Sequence, residues 1–260
     1  MSIRPAAVAG QFYPAKKTAL QAQINTLFAS VKSPLATDVE ALIVPHAGYI
    51  YSGSVAAEAY QYIKPCAPAI RRIVLLGPAH RVYLDGMAIP AVDSFHTPLG
   101  DIPLDRETLD RIYSLPGVII SDEAHRLEHS LEVQLPFLQT ILGKFSLVPV
   151  VVGDCDADTV ASLLDAVWGN EESIIVISSD LSHFHSYDQA RKIDAQTCQN
   201  ILDKRSDLSG EEACGARAIN GLMRAAHSQS MSVKLIKACN SGDTAGDPGR
   251  VVGYGAFILH

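Results

Sequence analysis

The sequence predicts an α/β domain with a central mixed, largely parallel β-sheet flanked by helices. Short apolar runs, typical of buried strands, alternate along the 260 residues with longer stretches of helical composition. The last two predicted strands are joined by a turn-rich loop with no helix between them, which makes the sheet mixed and not purely parallel. No linker or charge block divides the chain, so we expect one domain over 1–260.

The first half of the chain alternates between the two element types. In order, we predict a strand at 41–44, a helix at 54–63 capped by Ser52 or Ser54, a strand at 71–77, a short strand at 87–92, a polar loop at 95–100, a helix at 104–114 and a strand at 117–120. A further helix opens within 128–138, where Pro136 is tolerated only near the helix start or at a kink.

The second half continues the alternation and then closes with two strands. We predict a strand at 145–152, a helix at 157–168, a strand at 173–179, helices at 187–203 and 211–228, and strands at 231–239 and 250–259. The segment between the last two strands, 240–249, is rich in Gly, Asp and Asn and is therefore a loop.

Composition excludes several classes of protein. The net charge is -7 and the basic residues are scattered, which argues against nucleic acid as a partner. The apolar runs are far shorter than the ~20 residues that a membrane span needs, and no signal-peptide core is visible. Five widely spaced cysteines without a CxxC pair are typical of reduced thiols, so we expect a cytoplasmic protein without a structural zinc knuckle.

Histidines follow three of the predicted strands. His46 comes after the strand at 41–44, His80 after 71–77, and Asp180 and His183 after 173–179. The carboxyl ends of strands in an open α/β sheet share one crevice, so we expect these side chains to converge there. Two histidines and a carboxylate form the ligand set of non-haem iron(II) sites, and the same set also binds zinc or manganese. A single histidine at the start of a loop, by contrast, most often forms a hydrogen bond with a carbonyl group.

Other residues have weaker support. His129, between Glu128 and Ser130, either faces a ligand or has a capping or surface role. Tyr49 and Tyr51 stand close to His46 and are candidates to line a substrate pocket. Cys214 opens a predicted helix, but a small buried thiol is a better interpretation than a nucleophile. The spacings of nucleotide-binding loops and of the GxSxG elbow are missing.

Seven stretches resemble, in chain order, the Memo family, whose fold is similar to that of class III extradiol dioxygenases. They are RPAAVAGQFYP, PHAGYIYSG, LLGPAHR, EHSLEVQLPFL, SSDLSHFHSYDQA, the CG at Cys214 and VVGYGAF. The resemblance implies a pocket at the strand ends in which two histidines, corresponding to His46 and His80, and a cysteine hold iron or copper. It also implies that Asp180 and His183 line this pocket, with His183 as the acid/base residue.

The sequence departs from the family at the cysteine ligand, which falls at or near Thr244, while Cys239 lies five residues earlier. Threonine is a poor ligand for such metals, so either Asp180 or Asp243 substitutes or the site binds metal weakly or not at all. Our candidate metal ligands are therefore His46, His80, Asp180 and Asp243. Our candidate catalytic residues are His183, Asp180 and His129.

Three functions are compatible with these residues. The first is a metal-dependent redox enzyme of extradiol-dioxygenase type that uses iron(II), or copper or zinc in its place, on an unidentified small molecule. The second is a non-catalytic module that binds a peptide or phosphorylated ligand. The third is a metal-assisted hydrolase. The resemblance also implies an AMMECR1-like protein and a radical-SAM protein as partners.

Overall fold

The carboxyl ends of three neighbouring strands meet at one edge of the main sheet in the computed structural model, which describes residues 2–31, 38–168 and 172–260. The strands are β1 Ile3–Arg4, β2 Ala41–Val44, β3 Arg72–Pro78, β4 Met87–Ile89, β5 Ser94–Thr97, β6 Gly100–Pro103, β7 Val118–Ile120, β8 Ser146–Val152, β9 Ser173–Ser178, β10 His183–His185, β11 Val233–Asn240 and β12 Val251–Leu259. The helices are α1 Lys17–Ala29, α2 Tyr49–Tyr60, α3 Arg106–Tyr113, α4 Asp122–Arg126, α5 Leu135–Leu142, α6 Ala157–Val167, α7 Tyr187–Leu202 and α8 Ala216–Ser228.

The main sheet runs in the order β10-β12-β2-β9-β3-β8-β4-β7, with β11 also paired to β12. Its centre, β2-β9-β3-β8, is parallel, whereas β12 on one flank and β4 on the other pair antiparallel. The prediction of a mixed, largely parallel central sheet is therefore confirmed. The central strands are almost wholly buried and apolar, as expected for a sheet covered on both faces.

The helices and the strand order fix where the loops emerge. Helix α2 packs on β2, β11 and β12, while α8 packs on β3, β9 and α6. Because β9 lies between β2 and β3, the loops after these three strands emerge side by side. This arrangement brings residues from distant parts of the chain to one place.

Among the described residues, every helix is too short or too polar to cross a bilayer.

Two local predictions were wrong. The segment 95–100 is not a polar loop but part of the β5–β6 hairpin, which forms a small separate sheet with β1. Phe95 and Thr97 are buried and His96 is exposed, so the segment has the alternation of a strand despite its polarity. Helix α2 begins at Tyr49 and not at 54, after Gly48, and neither Ser52 nor Ser54 caps it.

Tertiary contacts explain the early start of α2. The Tyr49 amide donates to the Phe12 carbonyl, and the Tyr49 ring packs 4.7 Å from that of Phe137. The prediction for α8 was also wrong at its start, since this helix begins at Ala216, five residues later than predicted. Pro136 lies in the first turn of α5, as the sequence requires. Helix α1 has no counterpart among the predicted elements.

Candidate metal centre

Three histidines converge at the edge where the parallel strands end. His46 follows β2, His80 follows β3, and His129 lies in the loop after α4. One ligand nitrogen from each lies within 4.8 Å of the other two. The rings of His80 and His129 stack with their centroids 4.7 Å apart, and His46 stands edge-on to both. The structure therefore joins His129 to the two strand-end histidines.

The hydrogen bonds of His46 determine which of its nitrogens is free. Its Nδ1 lies 2.9 Å from the Ser178 hydroxyl oxygen. That hydroxyl donates its one proton to the Ser130 carbonyl and also accepts from the Gln134 side-chain amide. Ser178 must therefore accept from His46 Nδ1–H, which leaves the lone pair of Nε2 unprotonated. Burial lowers the pKa of His46 well below its usual value, so the ring is neutral.

Glu128 fixes His80 in the same tautomer. Its carboxylate accepts from both the backbone amide and Nδ1 of His80, at 2.6 and 2.9 Å, and from the amides of His129 and Ser130. Burial alone would raise the pKa of Glu128, but the hydrogen bond and charge of His80 outweigh it and hold that pKa at about 2. The ionised carboxylate thus accepts the Nδ1 proton of His80, so Nε2 is the nitrogen available to a ligand.

His129 is the least constrained of the three. The Phe12 ring lies against its imidazole with the centroids 4.8 Å apart. Burial lowers the pKa of His129 to about 4, so this imidazole is also neutral near pH 7. Its Nδ1 is buried and lies 3.3 Å from a Glu128 carboxylate oxygen, in a geometry that makes no hydrogen bond within the described part of the chain. A buried nitrogen of this kind is unusual in a native protein unless a ligand or water satisfies it.

Asp180 lies next to His46 and supports the loop that carries it. One carboxylate oxygen accepts from the His46 backbone amide at 2.8 Å, and the other lies 3.9 Å from His46 Nε2. The side chain is almost fully buried, and burial raises the pKa of Asp180 to about 7. Asp180 is thus a positioning group whose second oxygen faces the histidines and can exchange a proton near neutral pH.

The sequence did not indicate that Cys214 belongs to this cluster. Its sulfur lies 3.4 Å from His46 Nε2 and accepts from the Asp180 amide at 3.3 Å. Burial raises the pKa of Cys214 to about 12, so the group is a thiol in the metal-free protein. We expected a buried thiol, whereas Cys214 is only partly buried. Its neighbours could not be read from the sequence because they come from the segments that follow β2 and β9.

Gly215 allows this approach. A Cβ atom at Gly215 would lie 2.7 Å from the Ser179 Cβ, and the Gly215 amide donates to the Ser179 hydroxyl. The start of α8 can therefore sit directly on the end of β9 only because this position has no side chain. The two-residue motif CG is the one sequence signal that could have indicated the contact.

The loop before β12 contributes no ligand to the histidine cluster in the structure, which corrects the prediction for Asp243. Its carboxylate accepts from the Tyr187 hydroxyl at 2.5 Å and from the Asn240 amide at 2.9 Å. Thr244 donates both its amide and its hydroxyl to the Ser241 carbonyl. Thr244 is therefore bonded within the loop, whereas Asp243 ties the loop to the first residue of α7.

The remaining candidates, Tyr49, Tyr51 and His183, differ in how deeply they are buried. The Tyr49 hydroxyl donates to the Val133 carbonyl inside the core, so this tyrosine is not free to line a substrate pocket as predicted. Tyr51, two residues after Tyr49 on α2, is only partly buried. His183 is half-buried in β10, and burial lowers its pKa, so it is a neutral base near pH 7.

A cavity of about 450 Å³ adjoins the cluster. Its walls include Pro78 and Ala79, which lead into His80, and Cys214 at the start of α8. Tyr83 and Arg217 also line it. This volume is in the range of small-molecule sites, and Cys214 forms the boundary between the cavity and His46.

Comparisons with known proteins agree with one another. The profile of the family described as Memo-like protein matches residues 4–258. A MEMO1 family protein of Methanococcoides burtonii is 36% identical, covering 99% of this chain and all of its own length. A MEMO1 family protein of Aquifex aeolicus is 34% identical with 100% of both chains covered.

A solved structure of similar fold supports the architecture. It is the uncharacterized protein JW3007 from Escherichia coli K12, with a TM-score of 0.56 and 14% sequence identity. The similarity covers 85% of this chain and 99% of that chain. At this identity the likeness concerns the fold alone.

Proposed function

This chain belongs to the family of Memo-like proteins, and on the geometry of its histidine cluster we propose that it is a metal-dependent redox enzyme. The metal would be a non-haem iron(II) ion, held by His46, His80 and His129. The observation that carries the proposal is the convergence of three imidazoles, two of which direct Nδ1 to a protein oxygen and so offer Nε2 to a ligand.

The donor set fits a first-row transition metal. Imidazole suits iron, copper and zinc, and a ligating histidine usually donates its other N–H to a carboxylate or another protein oxygen. Glu128 and Ser178 accept those protons here. Two nitrogens bound to one tetrahedral metal lie about 3.4 Å apart, so binding would draw the three rings slightly inward from their spacing of up to 4.8 Å.

Iron(II), when bound, would supply open coordination positions at which O₂ and an electron-rich substrate meet. The protein would manage the protons. His183 is a neutral base at the rim and would accept the proton of a substrate hydroxyl. Asp180, which has a pKa of about 7 and is bonded to the His46 backbone amide, would exchange a proton with the bound ligands.

The adjoining cavity supports a small molecule as the substrate. Its volume of about 450 Å³ suits a compact organic ligand, and it reaches the cluster at Cys214. The free state of all five cysteines supports a reducing compartment, for which we propose the cytoplasm.

A hydrolase is the second candidate, because three histidines are also the ligands of a catalytic zinc ion that activates water. The two candidates differ in their need for O₂. Product formed from an ester or amide under strictly anaerobic conditions would favour the hydrolase.

Nitric oxide tests the redox proposal because it binds iron(II) where O₂ would bind. Anaerobic protein loaded with iron(II) should give the electron paramagnetic resonance signal of a high-spin iron–nitrosyl complex. The His129→Ala variant should lose or alter this signal, while His96→Ala, an exposed histidine bonded to Asp101, should not. Iron-loaded protein that gives no nitrosyl signal would contradict the proposal.

A further inference from the structure

We infer that the substrate of this site carries a carboxylate group, and that Arg250, stacked on Phe184, binds that group at the rim of the metal centre. This assignment rests on the proposed metal-dependent function and adds a class of substrate to it. Phe184 lies between His183 and His185 on β10, and Arg250 directly precedes β12. Neither residue belongs to the histidine cluster.

The conformation of Phe184 is unusual for its residue type. Its φ is 65°, in the left-handed region that bulky side chains rarely adopt because Cβ comes too close to the carbonyl oxygen. The residue is also 61% exposed. An exposed ring on a strained backbone contributes little to folding, and residues of this kind cluster at functional sites.

A bulge in β10 sets the ring of Phe184 beside the site. His183 and His185 pair with adjacent residues of β12, so Phe184 between them is an extra residue on its strand. The rings of Phe184 and His183 lie with their centroids 5.6 Å apart. Burial lowers the pKa of His183, and repulsion from His80 adds to this effect because the two imidazoles are near each other. The exposed ring therefore borders the metal centre.

Arg250 is held over that ring. Its guanidinium carbon lies 4.3 Å from the Phe184 centroid, within the range of a cation–π interaction. The charge therefore lies no farther from the centre of the His183 imidazole than the sum of the 4.3 Å and 5.6 Å separations, which is 9.9 Å. A stacked guanidinium keeps N–H groups free at its edge, and these match the two oxygens of a carboxylate.

The charge of Arg250 is not used within the described part of the chain. Six other arginines form ion pairs there: Arg4, Arg72, Arg126, Arg205, Arg217 and Arg224. Arg250 forms none among the described residues, although the chain has 28 acidic residues against 21 basic ones. An unpaired cation on an acidic protein is available to an anionic ligand.

A second unpaired arginine lies near the same rim. Arg81 follows His80 directly, is exposed and has no ion pair among the residues that the structure describes. Burial is the main cause of the low pKa of His129, and the charge of Arg81 adds to it. Two positive charges beside the cluster would attract an anion and orient it, with Arg250 as the group that makes the contact.

Two ligands that differ in one charge test this assignment. Protocatechuate has neighbouring hydroxyl groups and a carboxylate, and protocatechuamide has a neutral amide in place of the carboxylate. Each is titrated anaerobically into the iron(II) protein with nitric oxide bound, and the change in the nitrosyl signal gives the dissociation constant. Protocatechuate should bind about 10-fold more tightly, the effect of a hydrogen-bonded pair with a charged partner.

Substitution of Arg250 shows whether it is the group responsible. Arg250→Gln should lose most of the preference for protocatechuate and bind protocatechuamide as the wild type does. Arg111→Gln is the matched control and should keep the preference. Arg111 is exposed and also has no ion pair among the described residues, but it lies on α3, which packs against α6 and β7.

Phe184→Gly separates binding from folding. Glycine adopts a φ of 65° without strain, so this variant should unfold at the temperature of the wild type or above it. It should nevertheless lose much of the preference for protocatechuate, because Arg250 is no longer held in place. A marked fall in the unfolding temperature would show that Phe184 serves the fold, and would overturn its role in binding.

The remaining outcomes distinguish the substrate class from the metal centre. Equal affinity for the two ligands, or a nitrosyl signal that neither ligand changes, would overturn the carboxylate assignment and leave the metal centre intact. A preference that survives in Arg250→Gln would also overturn it. No nitrosyl signal in the wild type would contradict the proposed function itself.

Discussion

At the scale of single residues, the site depends on which nitrogen of each histidine is protonated. Ser178 and Glu128 settle this for His46 and His80, since each accepts the Nδ1 proton and exposes Nε2. Hydrogen-bond partners of metal-binding histidines affect the metal affinity although they never touch the metal.

Glu128→Gln should weaken metal binding by about 10- to 100-fold, because the amide cannot accept all four of the N–H bonds that the carboxylate accepts. Competition with a chromogenic chelator measures the affinity. Glu123→Gln, which removes an exposed carboxylate paired with Arg126, is the control. Unchanged affinity in a folded Glu128→Gln protein would refute the assigned role of Glu128.

His125 gives a prediction for pH and stability away from the cluster. Its Nε2 donates to the Ala88 carbonyl, its Nδ1 has no partner within the described residues, and burial lowers its pKa to about 4. Between pH 6.5 and 4 the unfolded chain therefore binds a proton that the folded protein excludes, so stability falls with acid. The loss from this residue should be about 3 kcal/mol at pH 4.

Urea unfolding at pH 7 and at pH 4 measures that loss. His125→Gln retains a donor for the Ala88 carbonyl but does not titrate, so its stability should fall less over this interval than that of the wild type. Equal losses of stability in the two proteins would show that protonation of His125 does not cause the loss in acid.

At the scale of elements, the N-terminal segment is held against the site by a buried ion pair. Arg4 donates to Glu132 and to the carbonyls of His125 and Glu128. Glu132 also accepts from the amides of residues 7 and 8 and from the Tyr13 hydroxyl. This network fixes the segment that lays Phe12 on His129.

Glu132→Gln should cost about 3–5 kcal/mol of stability, since it leaves the buried guanidinium of Arg4 without its counter-charge. Denaturant unfolding at pH 7 gives the change in the free energy of unfolding. Asp207→Asn breaks the exposed pair with Arg205 and should have no measurable effect. A loss of stability below about 1 kcal/mol for Glu132→Gln would contradict the role assigned to the buried Arg4–Glu132 ion pair.

The elements also show what could be predicted from the sequence. The central strands, such as β3 and β9, are continuous apolar runs, so the fold class followed from their pattern. The hairpin at 94–103 was missed because its buried residues are partly polar. His46 and His80 could be assigned to one crevice because topology alone places parallel strand ends together.

Cys214, by contrast, could not be assigned to the cluster. Its approach to His46 depends on the packing of α8 against β9 at Gly215, a tertiary contact with no periodic signal. Asp243 was an expected ligand by position along the chain, but its carboxylate accepts from Tyr187 on α7 and from the Asn240 amide.

At the scale of the whole molecule, the strand order β2-β9-β3 creates the site. It sets His46 beside Asp180 and His80, while α8 and the loop after α4 add Cys214 and His129. A hydrophobic core of buried strands lies beneath this edge, so the loops that carry His46 and His80 are anchored at their first residues by rigid elements.

The metal content of the purified protein tests the central claim most directly. Elemental analysis of anaerobically purified protein should give one transition-metal ion per chain, with iron the expected element. His46→Ala and His80→Ala should each lose it, while His96→Ala, far more exposed, should retain it. A folded wild-type protein that contains no metal, and that binds none when iron(II), zinc or copper is added, would contradict the account.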